Sequence, residues 1–150
     1  MGKIFLIAAD WQFRALVRAQ LLEEGFEVRP WASLRAALQD LVISGEQACL
    51  TILDTKDLDL ETGATADLLR LTRETPLILC GDELSQRALR RARLNKLVAS
   101  RAAMGREGIP PVQVLLRPFR VRDVVESVRR VWACPDGEAD TAASVDAGGG

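Results

Sequence analysis

Apolar residues fall into five strand-sized runs, separated by amphipathic or turn-rich segments. Residues 3–9 (KIFLIAA) form the first run and predict a buried strand ending at Asp10. Phe13, Leu16, Val17, Gln20 and Leu21 follow at helical spacing, which predicts a helix to about residue 24, stopped by Gly25. Residues 26–31 (FEVRPW) alternate and contain a proline, the mark of an edge strand. Ser33 is placed to cap a second helix over 34–44, closed by Gly45. The third strand is 48–54 (ACLTILD), followed by a polar loop and a helix around 64–73. Residues 76–81 (PLILCG) make a fourth strand. Residues 83–103 form a long basic helical stretch that can break near Asn95. Gly105, Gly108, Pro110 and Pro111 mark a loop before the fifth strand, 112–116. The last helix, 121–132, turns Val124, Val125, Val128 and Val131 inward. One domain is expected over 1–133. Residues 134–150 lack any large apolar side chain and read as a disordered tail or linker.

Strands alternating with helices predict a parallel sheet covered on both faces. Ligands of such sheets collect at the carboxyl ends of the strands. The third run ends there in Asp54, with Asp57, Asp59 and Glu61 in the loop beyond. Two readings of Asp54 stand side by side: a residue that caps the next turn, or the centre of a site.

Composition narrows the chemistry. The chain has 150 residues and no histidine. Ser-His and Cys-His nucleophile pairs and histidine metal sites are therefore out of reach. Cys49, Cys80 and Cys134 lack metal spacing, and two of them fall in apolar runs, so reduced core thiols in a cytoplasmic protein are expected. No apolar segment is long enough to span a membrane, and no signal-peptide pattern opens the chain. The net charge of −1 conceals a split. Residues 1–86 carry 8 basic and 14 acidic side chains, whereas residues 87–130 carry 12 basic and 3 acidic. An acidic edge and a basic face on one domain follow. No dinucleotide fingerprint or phosphate-cradling glycine loop is present. Lys56 stands where a haloacid-dehalogenase-type phosphatase needs its second aspartate.

Four segments together resemble the receiver domain of bacterial response regulators over residues 3–132. Residues 6–14 (LIAADWQFR) resemble its first strand and helix start, and 25–28 (GFEV) its entry to strand two. Ile52-Leu53-Asp54 sits where the family keeps its phosphorylated aspartate. Leu116-Arg117-Pro118-Phe119 resembles the Lys-Pro-Phe closing strand five. The resemblance implies a flavodoxin-like (CheY-like) three-layer α/β fold, with five parallel strands in the order 2-1-3-4-5. It also implies a cis Arg117–Pro118 bond that aims residue 117 at the site.

The departures from that pattern shape the functional expectation. Active receivers close strand one with two acidic residues that help hold Mg²⁺, an ion that wants several hard oxygen ligands. Here those places are Ala8 and Ala9, and Asp10 comes one position late. Gly81, or Cys80 with a one-residue slip, stands where a receiver has its switch Ser or Thr, Val114 where it has an aromatic partner, and Arg117 where it has lysine. Arginine keeps the charge but is not equivalent to a mobile ammonium. Lys56 or Arg117 is expected to pair with Asp54 in place of a metal. The expected site is thus Asp54 at the phosphoacceptor position, surrounded by Asp10, Lys56, Gly81, Arg117 and Pro118, without Mg²⁺ or another cofactor.

Gly81 and Arg117 stand 36 positions apart, more than receivers usually spend, so the region of the fourth helix is expected to be enlarged. It is also strongly basic. Arg87, Arg90, Arg91 and Lys96, with Arg120 and Arg122 near the last helix, form a candidate partner face across the fourth helix, fifth strand and last helix. The overall expectation is a pseudo-receiver, not an enzyme, acting through a protein partner or homodimer without a phosphorylation cycle. The alternatives are a receiver still phosphorylated on Asp54 in a phosphorelay, and nucleic-acid binding through the basic face. The latter lacks a recognition helix or aromatic platform.

Overall fold

The computed structural model of the chain describes residues 2–56, 75–82, 87 and 112–133. Five strands form one parallel sheet: β1 (Lys3–Ile7), β2 (Glu27–Trp31), β3 (Leu50–Asp54), β4 (Leu77–Gly81) and β5 (Val112–Leu116). Their order is β2-β1-β3-β4-β5, the expected flavodoxin-like arrangement. Pro30 lies in β2, at one edge, where its missing N–H costs no ladder bond on the open side. Three helices are described: α1 (Trp11–Glu23), α2 (Leu34–Ser44) and α3 (Val121–Ala133).

The apolar runs split by alternation into two cores. Ile4, Leu6, Leu50, Ile52, Ile78 and Cys80 face one side and pack with Val17, Leu21, Val124 and Val128 of α1 and α3. Phe5, Ile7, Leu53, Leu77 and Leu79 face the other and pack with Trp31 and with Leu34, Ala37 and Leu41 of α2. Burying each Ile or Leu this fully contributes about 1.5–3 kcal/mol, so the central strands are a main source of hydrophobic stabilisation among the described residues.

The helix ends follow their sequence signals. The Asp10 carboxylate accepts the N–H groups of Gln12 and Phe13 and caps α1. At the other end the Phe26 N–H reaches the Leu21 carbonyl and the Gly25 N–H the Leu22 carbonyl, a Schellman closure with Gly25 at φ 95°. Ser33 caps α2 through the Ala36 N–H, and Gly45 ends it at φ 67°. Asp123 accepts the Arg120 N–H at the start of α3, the reciprocal half of a capping box.

Three expectations need correction. Leu16 and Gln20 do not face the core: Leu16 is 56% exposed, because α1 seats the narrower stripe of Phe13, Val17 and Leu21. Cys49 precedes β3 and is exposed, so of the described thiols only Cys80 is a core thiol. Burial pushes the Cys80 thiol up, well away from thiolate formation, and the Asp54 charge adds to this. The third strand begins at Leu50, two residues later than the apolar run suggests. The helices expected at 64–73 and 83–103, the loop beyond them and the 134–150 tail lie outside the described residues, apart from Arg87. Among the described residues no helix is long and apolar enough to cross a membrane.

Candidate functional site

Asp54 is the last residue of β3 and is fully buried. Its register partner on β4 is Cys80, and the ladder continues beyond it, since the Thr55 N–H and hydroxyl both donate to the Cys80 carbonyl at 2.8 and 3.0 Å. Gly81 is therefore the residue just past Asp54 on the neighbouring strand, and it offers no hydroxyl to the site.

Both carboxylate oxygens of Asp54 are engaged. Arg117 Nη2 donates to Oδ2 at 2.8 Å, and the Lys56 N–H donates to Oδ1 at 3.1 Å. Arg117 follows β5, and its N–H bonds to the Gly81 carbonyl at 2.7 Å, which extends the β4–β5 ladder to the site. The Arg117–Pro118 bond is cis, as expected. Burial alone would lower the Arg117 pKa. The hydrogen bond and charge of Asp54, with smaller help from Cys80 and Asp82, reverse this and hold it above its ordinary value. The cation is therefore permanent at any physiological pH.

Two aromatic rings flank that cation. The Arg117 guanidinium carbon lies 5.6 Å from the Phe13 ring centroid and 4.9 Å from that of Phe119. The two rings meet edge to face at 5.9 Å. A second guanidinium caps the end of β1, where Arg14 Nη1 donates to the Ala8 carbonyl at 2.7 Å.

Of the expected site residues, Asp54, Arg117 and Gly81 come together at the sheet edge. Lys56 joins them by its backbone N–H, while its side chain is exposed. Asp10 is spent on the α1 cap, and Pro118 is exposed. Arg87, Arg120 and Arg122 are exposed, whereas Arg90, Arg91 and Lys96 lie outside the described residues. Phe13, Phe119 and Arg14 were not expected as site residues. Their signal was present in the Phe13-Arg14 and Arg117-Pro118-Phe119 pairs, where an aromatic stands close to a cation.

A hard divalent cation would need carboxylates converging on Asp54. Ala8 and Ala9 supply none, Asp10 turns to its helix, and one Asp54 oxygen already faces a guanidinium. Among the described residues these places supply no ligand set for Mg²⁺. Among the described residues no group of three acidic, cysteine or histidine side chains is arranged to hold a metal.

Solved structures decide the fold. A CheY-like response-regulator receiver domain from Methanospirillum hungatei superposes with a TM-score of 0.60 at 18% identity, covering 87% of this chain and 92% of that one. The fold is the receiver fold. The response regulator TrrA of Thermotoga maritima, solved in complex with Mg²⁺ and beryllofluoride, matches at 0.59 and 18%, over 87% and 99% of the two chains. The receiver domain of a Francisella response regulator gives 0.55 and 14%, over 87% and 96%. No family model and no curated protein matches the sequence. At these identities the likeness speaks for the receiver fold alone.

Proposed function

We propose that this chain is a pseudo-receiver: a signalling module of the two-component type that works by protein–protein contact, with Asp54 held in a fixed ion pair in place of a phosphorylation cycle. One observation carries the reading. Asp54 has no exposed surface, and both its oxygens are hydrogen-bonded, one of them to Arg117. A phosphoryl donor needs an in-line path to a free carboxylate oxygen and a metal to offset the developing charge. Among the described residues around Asp54 neither is provided. Gly81 and the exposed Val114, at the two switch positions, fit a site without a hydroxyl-and-aromatic relay between β4 and β5.

The partner reading extends this. Arg87, Arg120 and Arg122 are exposed and suit an acidic protein surface or a second copy of the chain, with association that weakens as salt rises.

The test is incubation with acetyl phosphate and Mg²⁺, followed by intact mass, alongside a beryllofluoride titration followed by NMR. The expected result is no adduct and no shift at Asp54. A stable phosphoryl adduct that disappears in Asp54→Asn would establish the phosphorelay alternative instead.

A further inference from the structure

The Asp54–Arg117 contact is monodentate, and something other than a two-point fork must hold the guanidinium in place. Only Nη2 reaches the carboxylate. Nη1 is buried and has no hydrogen-bond partner among the described residues. A single bond at 2.8 Å leaves the guanidinium plane free to swing about it. Further restraint comes from the rings of Phe13 and Phe119, whose electron-rich faces attract the cation from α1 and from the loop after β5.

Phe13 is itself firmly placed. Asp10 accepts the Gln12 and Phe13 N–H groups at 2.9 and 3.3 Å, which sets the first turn of α1. The neighbouring Arg14 ties the same turn to the Ala8 carbonyl. In the β1–β3 register Ile7 stands beside Leu53, so the next pair along is Ala8 and Asp54. One helical turn thus grips the ends of β1 and, through Arg117, of β3 and β5. The hydroxyl and the aromatic ring of a receiver switch between β4 and β5 are both missing here, since Gly81 and Val114 occupy those places.

We propose that Phe13 and Phe119 are positioning residues that lock the Arg117 guanidinium onto Asp54, and that Phe13 thereby couples the site to the first turn of α1. A partner that moves this turn loosens the ion pair, and a change at Asp54 is felt at α1. The proposal rests on the reading of Asp54 as a fixed ion pair, and it places the regulated surface at α1.

A double-mutant cycle tests it, with Phe13→Leu, Asp54→Asn and the combination compared by urea unfolding. Phe13→Leu should reduce the folding equilibrium constant about fivefold more in the wild type than in Asp54→Asn, because the ring's hold on Arg117 matters only while the pair exists. Equal losses in the two backgrounds would reduce Phe13 to packing and overturn the proposal. Phe13→Tyr, which keeps the ring, should restore the wild-type behaviour, and failure to do so would count against it equally. A second readout needs no change in α1. With 5-fluorotryptophan, Asp54→Asn should shift the ¹⁹F resonance of exposed Trp11 while leaving that of Trp132 in place. A stationary Trp11 signal would sever the coupling. Acetyl phosphate labelling of the wild type separates the two failures. Labelling with an intact cycle would remove the pseudo-receiver reading and leave the clamp, whereas no labelling with an additive cycle would do the reverse.

Discussion

Two charged clusters hold this sheet, one at the carboxyl ends of its central strands and one along its β2 edge. At the edge, Glu46 pairs with Lys3 at 2.6 Å and with Arg29 at 3.2 Å, while Asp40 takes Arg29 at 3.4 Å and the Trp31 indole N–H at 2.7 Å. Arg29 also lies over the Trp31 ring at 5.2 Å. Glu46, Arg29 and Asp40 each have two partners, and the side chain of Asp40 is 51% exposed. At the strand ends Asp54 is fully buried, and Arg117 is its one cation among the described residues. The chemistry is the same and the consequence is opposite. An exposed network degrades gradually because each charge can be resolvated. A buried carboxylate with one counter-ion fails as a unit, because desolvation leaves the survivor with nothing to replace the lost partner.

The largest effect should therefore come from Asp54. Asp54→Ala leaves Arg117 uncompensated in a site that is only a quarter open to solvent on the arginine side, which costs on the order of 3 kcal/mol. Urea unfolding of the single variant measures it. A midpoint equal to that of the wild type would erase the contrast between the two clusters and class Asp54 with the solvated edge.

Trp31→Phe probes the edge with a smaller perturbation. It keeps the edge-to-face packing on Phe5, at 5.2 Å, and removes only the indole hydrogen bond to Asp40. The expected loss is about 1 kcal/mol. Added salt should shrink the edge contribution and leave the Asp54→Ala difference nearly untouched, since buried pairs are poorly screened. Equal salt sensitivity in the two variants would contradict the division drawn here.

Much of this was legible in the residues, and the reasons differ by element. β4, β5 and α3 were readable because their apolar runs are bounded by proline, glycine or a capping aspartate, and Val124, Val125, Val128 and Val131 leave α3 one possible inward face. The caps at Ser33, Gly25 and Gly45 act locally, so sequence alone places them, whereas Asp10, expected at the site, is taken up by the α1 cap. Leu16 misled because helical spacing allows two adjacent stripes, and the choice depends on where the sheet lies relative to α1. Cys49 misled because an apolar run does not say at which residue strand pairing starts. At the site, the Asp54–Arg117 pair was readable from charge, position and the receiver resemblance. The ring contacts were not, because residues 13 and 119 meet only after α1 and the loop beyond β5 are folded onto the same end of the sheet.

The finest distinction between the clusters lies in their response to acid. Hydrogen bonding from Lys3 holds the Glu46 carboxyl below its ordinary value near 4.5, and Arg129 does the same for Glu24 on the α1–α3 side. A carboxylate whose folded pKa is depressed stabilises the fold above its unfolded value and loses that contribution as pH falls through the folded one. The urea midpoint should therefore hold steady from neutral pH down to about 5, then decline below about 4.5. Replacing both residues, Glu24→Gln with Glu46→Gln, should lower the midpoint at neutral pH by the amount the wild type loses on acidification, a small amount because both groups are partly exposed and screened, and so leave a shallower decline over the same window. An unchanged slope would mean that neither the edge network nor the Glu24–Arg129 pair does electrostatic work in the folded state. The contrast with Asp54 would then be one between a functioning pair and two decorative ones.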